Sequence, residues 1–269
     1  MNRTAAASSI TSLFLIALIG AYSFAAHARN LVWADPLTMW QDVSSKSPMK
    51  ARTHYNYAIM LAGTGDLDGA MKENRRTVEL NPAFAKAYFN IGAILHTRGR
   101  VEEAEEMYKL AVLIKPDISE AHSNLGYIYY GRGLLDAAMA EYREALRYKQ
   151  TNPRVYVNIG HVLKDRGRLD EALAEYRKAL VYDPQNVPAR LGIGSVLIKT
   201  GRSGEAESVL KGVVAAMPGL AEGHALLGES LAALGRPSEA LFEYETALGL
   251  DPAHSGARQA IMSIKQVGN

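Results

Sequence analysis

The chain has 269 residues, 48% hydrophobic and 22% charged, a composition that excludes an intrinsically disordered protein. Its 30 Lys and Arg against 28 Asp and Glu leave a net charge of +2, without the basic field that nucleic acid selects, so no nucleic-acid partner is expected. Cysteine is absent, which excludes disulfides, thiolate metal sites and cysteine nucleophiles without fixing a redox compartment. Glycine and proline are ordinary in number and periodic in position. Gly65, Gly99, Gly133, Gly167, Gly201 and Gly235 follow one another at a step of 34 residues, as do Ala70, Ala104, Ala138, Ala172, Ala206 and Ala240. Gly92, Gly126, Gly160, Gly194 and Gly228 keep the same step, with Ala58 in the first slot. So do Pro48, Pro82, Pro116, Pro184, Pro218 and Pro252, interrupted at Gln150.

Residues 1–28 form the first predicted element. From Thr4 to Ala26 there are 23 residues without a charge, most apolar over Leu13–Ile19, with Arg3 before them and Arg29 after. As a helix rising ~1.5 Å per residue this stretch reaches ~34 Å, enough to cross a bilayer core. Two readings fit. One is a cleaved secretory signal ending at the A-x-A site Ala26-His27-Ala28, which releases a soluble periplasmic adaptor. The other is a single-pass anchor in a bacterial inner membrane, with the rest of the chain facing the periplasm if the charged N-terminus stays inside.

Residues 29–50 are a linker with a helix. Asp35 and Pro36 read as its N-cap and first position. Stepping back by 34 places Trp40 in the slot of Tyr108, Val43 in that of Ala111 and Pro48 in the proline series, so 35–48 reads as an orphan capping helix with Trp40 in the core. Trp33 fits either the core or a membrane interface.

From Ala51 the steps of 34 define six units: 51–84, 85–118, 119–152, 153–186, 187–220 and 221–254. In the second, Tyr88, Ile91 and Leu95 recur at the spacing of one helix face over 85–97. Gly99 ends that helix in the left-handed conformation. Glu102, Glu103 and Glu105 open the next helix at its positive end. Gly92 and Ala104 let the two backbones approach, and Pro116 forces the turn into the next unit. Tyr108, Tyr142, Tyr176 and Tyr244 share one slot and read as core. His54, His122 and His224 share another with Tyr88 and Tyr156, and read as half-buried aromatic surrogates and not as metal ligands.

These slots resemble the tetratricopeptide repeat (TPR), a helix–turn–helix unit of 34 residues. The resemblance implies an all-α, right-handed superhelix, an α-solenoid of six repeats, carrying an N-terminal hydrophobic helix and a C-terminal capping helix over 255–269. In the last helix Ala257, Ile261 and Ile264 face repeat 6, opposite Arg258, Gln259, Lys265 and Gln266. The run Arg29-Asn30, Trp33, Asp35, Thr38, Trp40, Asp42, Lys46-Ser47-Pro48, Ala51-Arg52 resembles the junction between the last membrane helix and the repeats of transmembrane-and-TPR O-mannosyltransferase-like proteins. That resemblance implies anchoring and topology. The chain lacks the multispanning catalytic part, so it implies no glycosyl transfer by this chain, only an accessory module of such a system as an alternative.

The first helix of each TPR lines the inner groove, and there Asn56, Asn90, Asn124 and Asn158 occupy one slot, followed by Gly192 and Leu226. This resembles the asparagine ladder of O-GlcNAc transferase, which implies a grip on the main chain of an extended peptide, an amide offering both donors and acceptors. Hydrogen bonds within the scaffold are the competing role. Neighbouring slots hold Tyr55, Phe89, Tyr127 and Tyr130, then His161, Lys164 and Lys199, an aromatic region followed by a basic one. No catalytic, phosphate-binding or metal-binding motif is present, so the chain is read as a protein-binding scaffold and not an enzyme, with no cofactor, no metal and no small-molecule substrate. The paired Lys and Asn positions that clamp a chaperone tail are also missing, since Tyr55 and Ile59 stand there in repeat 1.

Overall fold

A computed structural model describes residues 18–30 and 33–267. Most of the apolar run expected to span a membrane, including Leu13–Ala17, lies outside the described residues. Among the described residues no helix is long and apolar enough to cross a membrane. Residues 18–30 are helical (α1), and the helices that follow are α2 (Pro36–Lys46), α3 (Ala51–Gly63), α4 (Leu67–Leu80), α5 (Ala85–Thr97), α6 (Val101–Ile114), α7 (Ser119–Gly131), α8 (Leu135–Tyr148), α9 (Pro153–Asp165), α10 (Leu169–Tyr182), α11 (Val187–Lys199), α12 (Ser203–Ala216), α13 (Ala221–Ala233), α14 (Pro237–Leu250) and α15 (Ser255–Val267). No strand is present among the described residues. The chain divides into two compact units, Met1–Pro116 and Asp117–Asn269.

Both units are built from the same hairpin of a 13-residue helix and a 14-residue helix. The hairpin turn is set by one glycine. Gly99 has φ 73° and its five counterparts lie between 71° and 86°, the left-handed region. Around Gly99 the Arg100 N–H reaches back to the Leu95 carbonyl at 3.0 Å and the Gly99 N–H to that of His96 at 3.0 Å, the pair of bonds of a Schellman cap. The second helix ends two residues before the proline slot, as α6 does at Ile114, with Lys115 as its C-cap before Pro116. Within the second unit α7 touches α9, α9 touches α11, α11 touches α13 and α13 touches α15, so the first helices of successive hairpins line up side by side.

The helix-interior glycines admit an aromatic ring more than they admit a backbone. A Cβ at Gly160 would lie 2.5 Å from Cε1 of Tyr176, one at Gly126 2.6 Å from Cε1 of Tyr142, and one at Gly92 2.8 Å from Cδ1 of Tyr108. Tyr108, Tyr142 and Tyr176 are wholly buried and Tyr244 nearly so. In the fifth hairpin Leu210 takes the ring's place over Gly194, and in the first the pair becomes Asn74 with Ala58.

The histidine slot is also structural, and more specific than an aromatic surrogate. Nδ1 of His54 lies 2.6 Å from Glu73, that of His122 2.7 Å from Glu141, and that of His224 2.6 Å from Glu243, each 19 residues on. Nε2 of His54 and of His224 faces the carbonyl of Pro48 and Pro218 at 3.0 Å, so the ring ties both helices of a hairpin to the loop before it. At the N-terminal side Trp40, expected in the core, is only half-buried, on a helix whose main packing partner is α3. The Trp33 ring lies 4.1 Å beneath the Arg29 guanidinium, and its indole hydrogen-bonds Asp42. At the other end Ala257 is fully buried, with Ile261 and Ile264 packed on the same core.

Gly160→Ala is therefore expected to destabilise the chain by about 1–2 kcal/mol in urea melts, the overpacking against Tyr176 outweighing the gain in helix propensity. Gly63→Ala, where a Cβ meets nothing within 4 Å, is expected to stabilise it by up to about 1 kcal/mol. Glu243→Ala leaves the nearly buried His224 without its charged partner and is expected to cost about 1.5–3 kcal/mol in the same assay.

Candidate functional site

In the first unit the expected groove residues sit on α3 and α5. Asn56 is half-buried and makes no side-chain hydrogen bond among the described residues. Asn90 is more committed: its amide donates to Asn74 Oδ1 at 3.5 Å and also to the Tyr55 hydroxyl oxygen. Burial raises the Tyr55 phenol above its ordinary value, and the Asn90 bond offsets part of that rise. The Tyr55 ring packs 4.8 Å from Phe84, and Phe89 packs 5.8 Å from Tyr108, so both aromatics serve the wall of the hairpin.

In the second unit the expected residues lie on α7, α9 and α11. Asn124 Oδ1 accepts from Arg154 Nη2 at 2.7 Å, a cation that the sequence reading passed over. Its signal was available: Arg154 lies 30 residues beyond Asn124, near the start of the next first helix. Asn158 is half-buried and has no side-chain partner among the described residues. Tyr127 is 52% exposed and Lys199 also faces solvent. The Tyr130 hydroxyl donates to Asp165 at 2.7 Å; burial first and the Asp165 charge second push its pKa up to about 12.

His161 lies between Tyr130, stacked at 6.4 Å, and the edge of Tyr176 at 5.5 Å. Burial, aided by the nearby Lys164 charge, holds its pKa below the ordinary histidine value. The Tyr176 phenol is pushed up by its own burial and keeps its proton, which it donates to His161 Nδ1 at 2.9 Å. The expected basic region is thus Lys164, Lys199 and Arg154, with His161 supplying a neutral N–H at Nε2. His161 and Lys164 line a cavity of about 220 Å³ together with Leu191, Gly192, Ser195 and Leu226. Gly192 departs from the asparagine series for a steric reason: a Cβ there would lie 2.5 Å from Cζ of Tyr176. Tyr142, whose hairpin carries Tyr127 where His161 stands, keeps a buried hydroxyl without a hydrogen-bond partner. Among the described residues no group of three or more His, Asp or Glu is placed to hold a metal ion.

Family models described as tetratricopeptide repeats match residues 51–71, 85–118, 126–165, 163–229 and 221–254. The chain belongs to the tetratricopeptide-repeat proteins. Among solved structures it resembles the APC/C hetero-tetramer Cut9-Hcn1, with a TM-score of 0.72 at 15% identity over 88% of this chain and 46% of that one, so it spans just under half of that relative's length. It also resembles YrrB, described as a TPR protein with an unusual peptide-binding site, with a TM-score of 0.57 at 24% identity over 70% of this chain and 96% of that one. A third is pilF of Pseudomonas aeruginosa, with a TM-score of 0.68 at 17% identity over 81% and 97%. Identities this low establish a shared fold. No curated protein sequence matches the chain.

The state of His161 has a pH consequence. Its folded pKa lies below its unfolded one, so the unfolded chain binds the proton more readily. Stability from this group is intact above about pH 6.5 and is lost as the pH falls through the folded value. His161→Phe is therefore expected to lose less stability than the wild type between about pH 7.5 and pH 5 in chemical denaturation. Equal losses in the two proteins would show that the imidazole is not held neutral by the fold.

Proposed function

We propose that this protein is a scaffold that binds an extended peptide or protein segment along the first helices of its repeats. One observation carries the reading. Asn56 and Asn158 present half-buried amides with no partner in their own unit, at the register where Asn90 and Asn124 are already engaged. A half-buried amide without a partner suits a main chain that supplies both donor and acceptor. In the second unit Lys164 and Arg154 flank Asn158 on α9 with positive charge, which favours a segment with acidic residues. The ladder thus divides into two amides kept for a ligand and two that also stiffen the scaffold.

The reading includes topology. The uncharged stretch Thr4–Ala26 is a single-pass anchor in a bacterial inner membrane, with the repeats in the periplasm. The helix over 18–30 runs through Ala26-His27-Ala28 and is tied to α2 by the Arg29–Trp33–Asp42 contacts, which favours retention over cleavage. The O-mannosyltransferase-like junction motif supports the same arrangement and the alternative of an accessory TPR module serving a membrane glycosyltransferase. A cleaved, soluble periplasmic adaptor is the remaining alternative, and a mature chain starting at Arg29 by mass spectrometry would select it.

Peptides selected from a random display library on the full chain provide the binding test. Asn56→Ala and Asn158→Ala are each expected to weaken selected peptides about five- to tenfold, the worth of one hydrogen bond. Unchanged binding in both variants, with unchanged melting, overturns the ladder as a binding site.

A further inference from the structure

Repeat 1 departs from the others where α4 meets α3. It carries Asn74 at the register of Tyr108, Tyr142, Tyr176, Leu210 and Tyr244, and Ala58 at the register of the ring-admitting glycines. Asn74 is 1% exposed. The shorter side chain leaves a cavity of about 280 Å³ with Ile59, Ala62, Ala93 and Ile94 among its walls and the amides of Asn74 and Asn90 beside them.

Repeat 4 shows what such a volume holds. There the Tyr176 ring lies against Gly192, the counterpart of Asn90, and its hydroxyl bonds His161, the counterpart of Ile59. The cavity of repeat 1 is bounded by these same two register positions. It is the place of a phenol that the chain itself does not provide.

We propose that this cavity takes a tyrosine side chain of the segment held in the groove, a proposal that rests on the peptide-binding reading above. The chemistry of the lining selects that residue. Apolar walls take the ring. Asn74 already donates to the Ala70 carbonyl at 2.9 Å, and the Asn90 amide nitrogen donates to Asn74 and to Tyr55, which leaves Asn90 Oδ1 as an acceptor. A phenol O–H meets that acceptor. A phenylalanine fills the walls and makes no bond to Oδ1 of the half-buried Asn90, and an aliphatic side chain leaves part of the volume empty as well.

The test titrates the full chain with N-acetyl-L-tyrosinamide and N-acetyl-L-phenylalaninamide while following the side-chain amide resonances of Asn74 and Asn90. The tyrosine probe is expected to shift both saturably and to bind about tenfold more tightly than the phenylalanine probe, the effect of one hydrogen bond. The double variant Ala58→Gly/Asn74→Tyr installs the residue pair that repeats 2, 3, 4 and 6 already accommodate, and is expected to abolish the response at Asn90. Ala93→Tyr, at the register of Tyr127, closes the cavity from its wall and is expected to do the same. No shift in the wild type, equal affinity for the two probes, or a response that survives in both variants overturns the pocket. Peptide display separates this from the groove reading. Peptides with tyrosine fixed at one position on the wild type, and lost on the double variant, support the pocket. Peptides enriched equally on both without a fixed tyrosine overturn it and leave the groove standing. A tyrosinamide response with no enriched peptide supports the pocket and overturns the groove.

Discussion

The fit of one buried side chain into one missing side chain organises each hairpin. Tyr176 is wholly buried because Gly160 has no Cβ to meet it, and the helix tolerates the glycine because the ring fills the space. A glycine inside a helix costs about 0.5–1 kcal/mol, and burying a large apolar side chain returns about 1.5–3 kcal/mol. The exchange is favourable only when both residues are present. Along the chain the glycine is kept wherever a large side chain faces it, Tyr in four hairpins and Leu210 over Gly194, and is replaced by Ala58 only where the shorter Asn74 stands.

Polar contacts then fix how the hairpins are held. The histidine–glutamate pairs join the two helices of a hairpin in the first turn of the first helix; where the glutamate position holds Met107 or Val209 the histidine position holds Tyr88 or Arg190, and in repeat 4 Tyr156 stands with Glu175. His161 belongs to a different group. It has no carboxylate at Nδ1; it accepts from a phenol, stays neutral and lines a cavity with Lys164. Three structural histidines and one functional candidate differ in what their nitrogens face, not in residue type.

In each unit the candidate binding residues are best described by what the scaffold leaves unspent. Asn90 and Asn124 are partly consumed by Asn74, Tyr55 and Arg154, and Tyr130 by Asp165. Asn56, Asn158 and Lys164 remain, as do the cavity beside Asn74 and the cavity lined by His161, Lys164 and Gly192. Irregularities in an otherwise strict repeat are thus where the chain has room and hydrogen-bonding capacity for something else.

The sequence alone determined the periodic features: helix lengths, the left-handed glycine caps, the prolines that follow every second helix but α8, and the burial of the tyrosine series. These follow from local backbone preference and from a spacing of 3.6 residues per turn, both written in consecutive residues. It also placed the asparagine slot on one helix face. Only the tertiary structure decided which of those asparagines are engaged, because their partners Asn74 and Arg154 lie 16 and 30 residues away on other helices. It likewise decided that His161 is neutral and that Asn74 borders an open cavity. Charge state and empty volume depend on what surrounds a side chain in space, and the repeat pattern fixes that surrounding only where every slot is filled according to type.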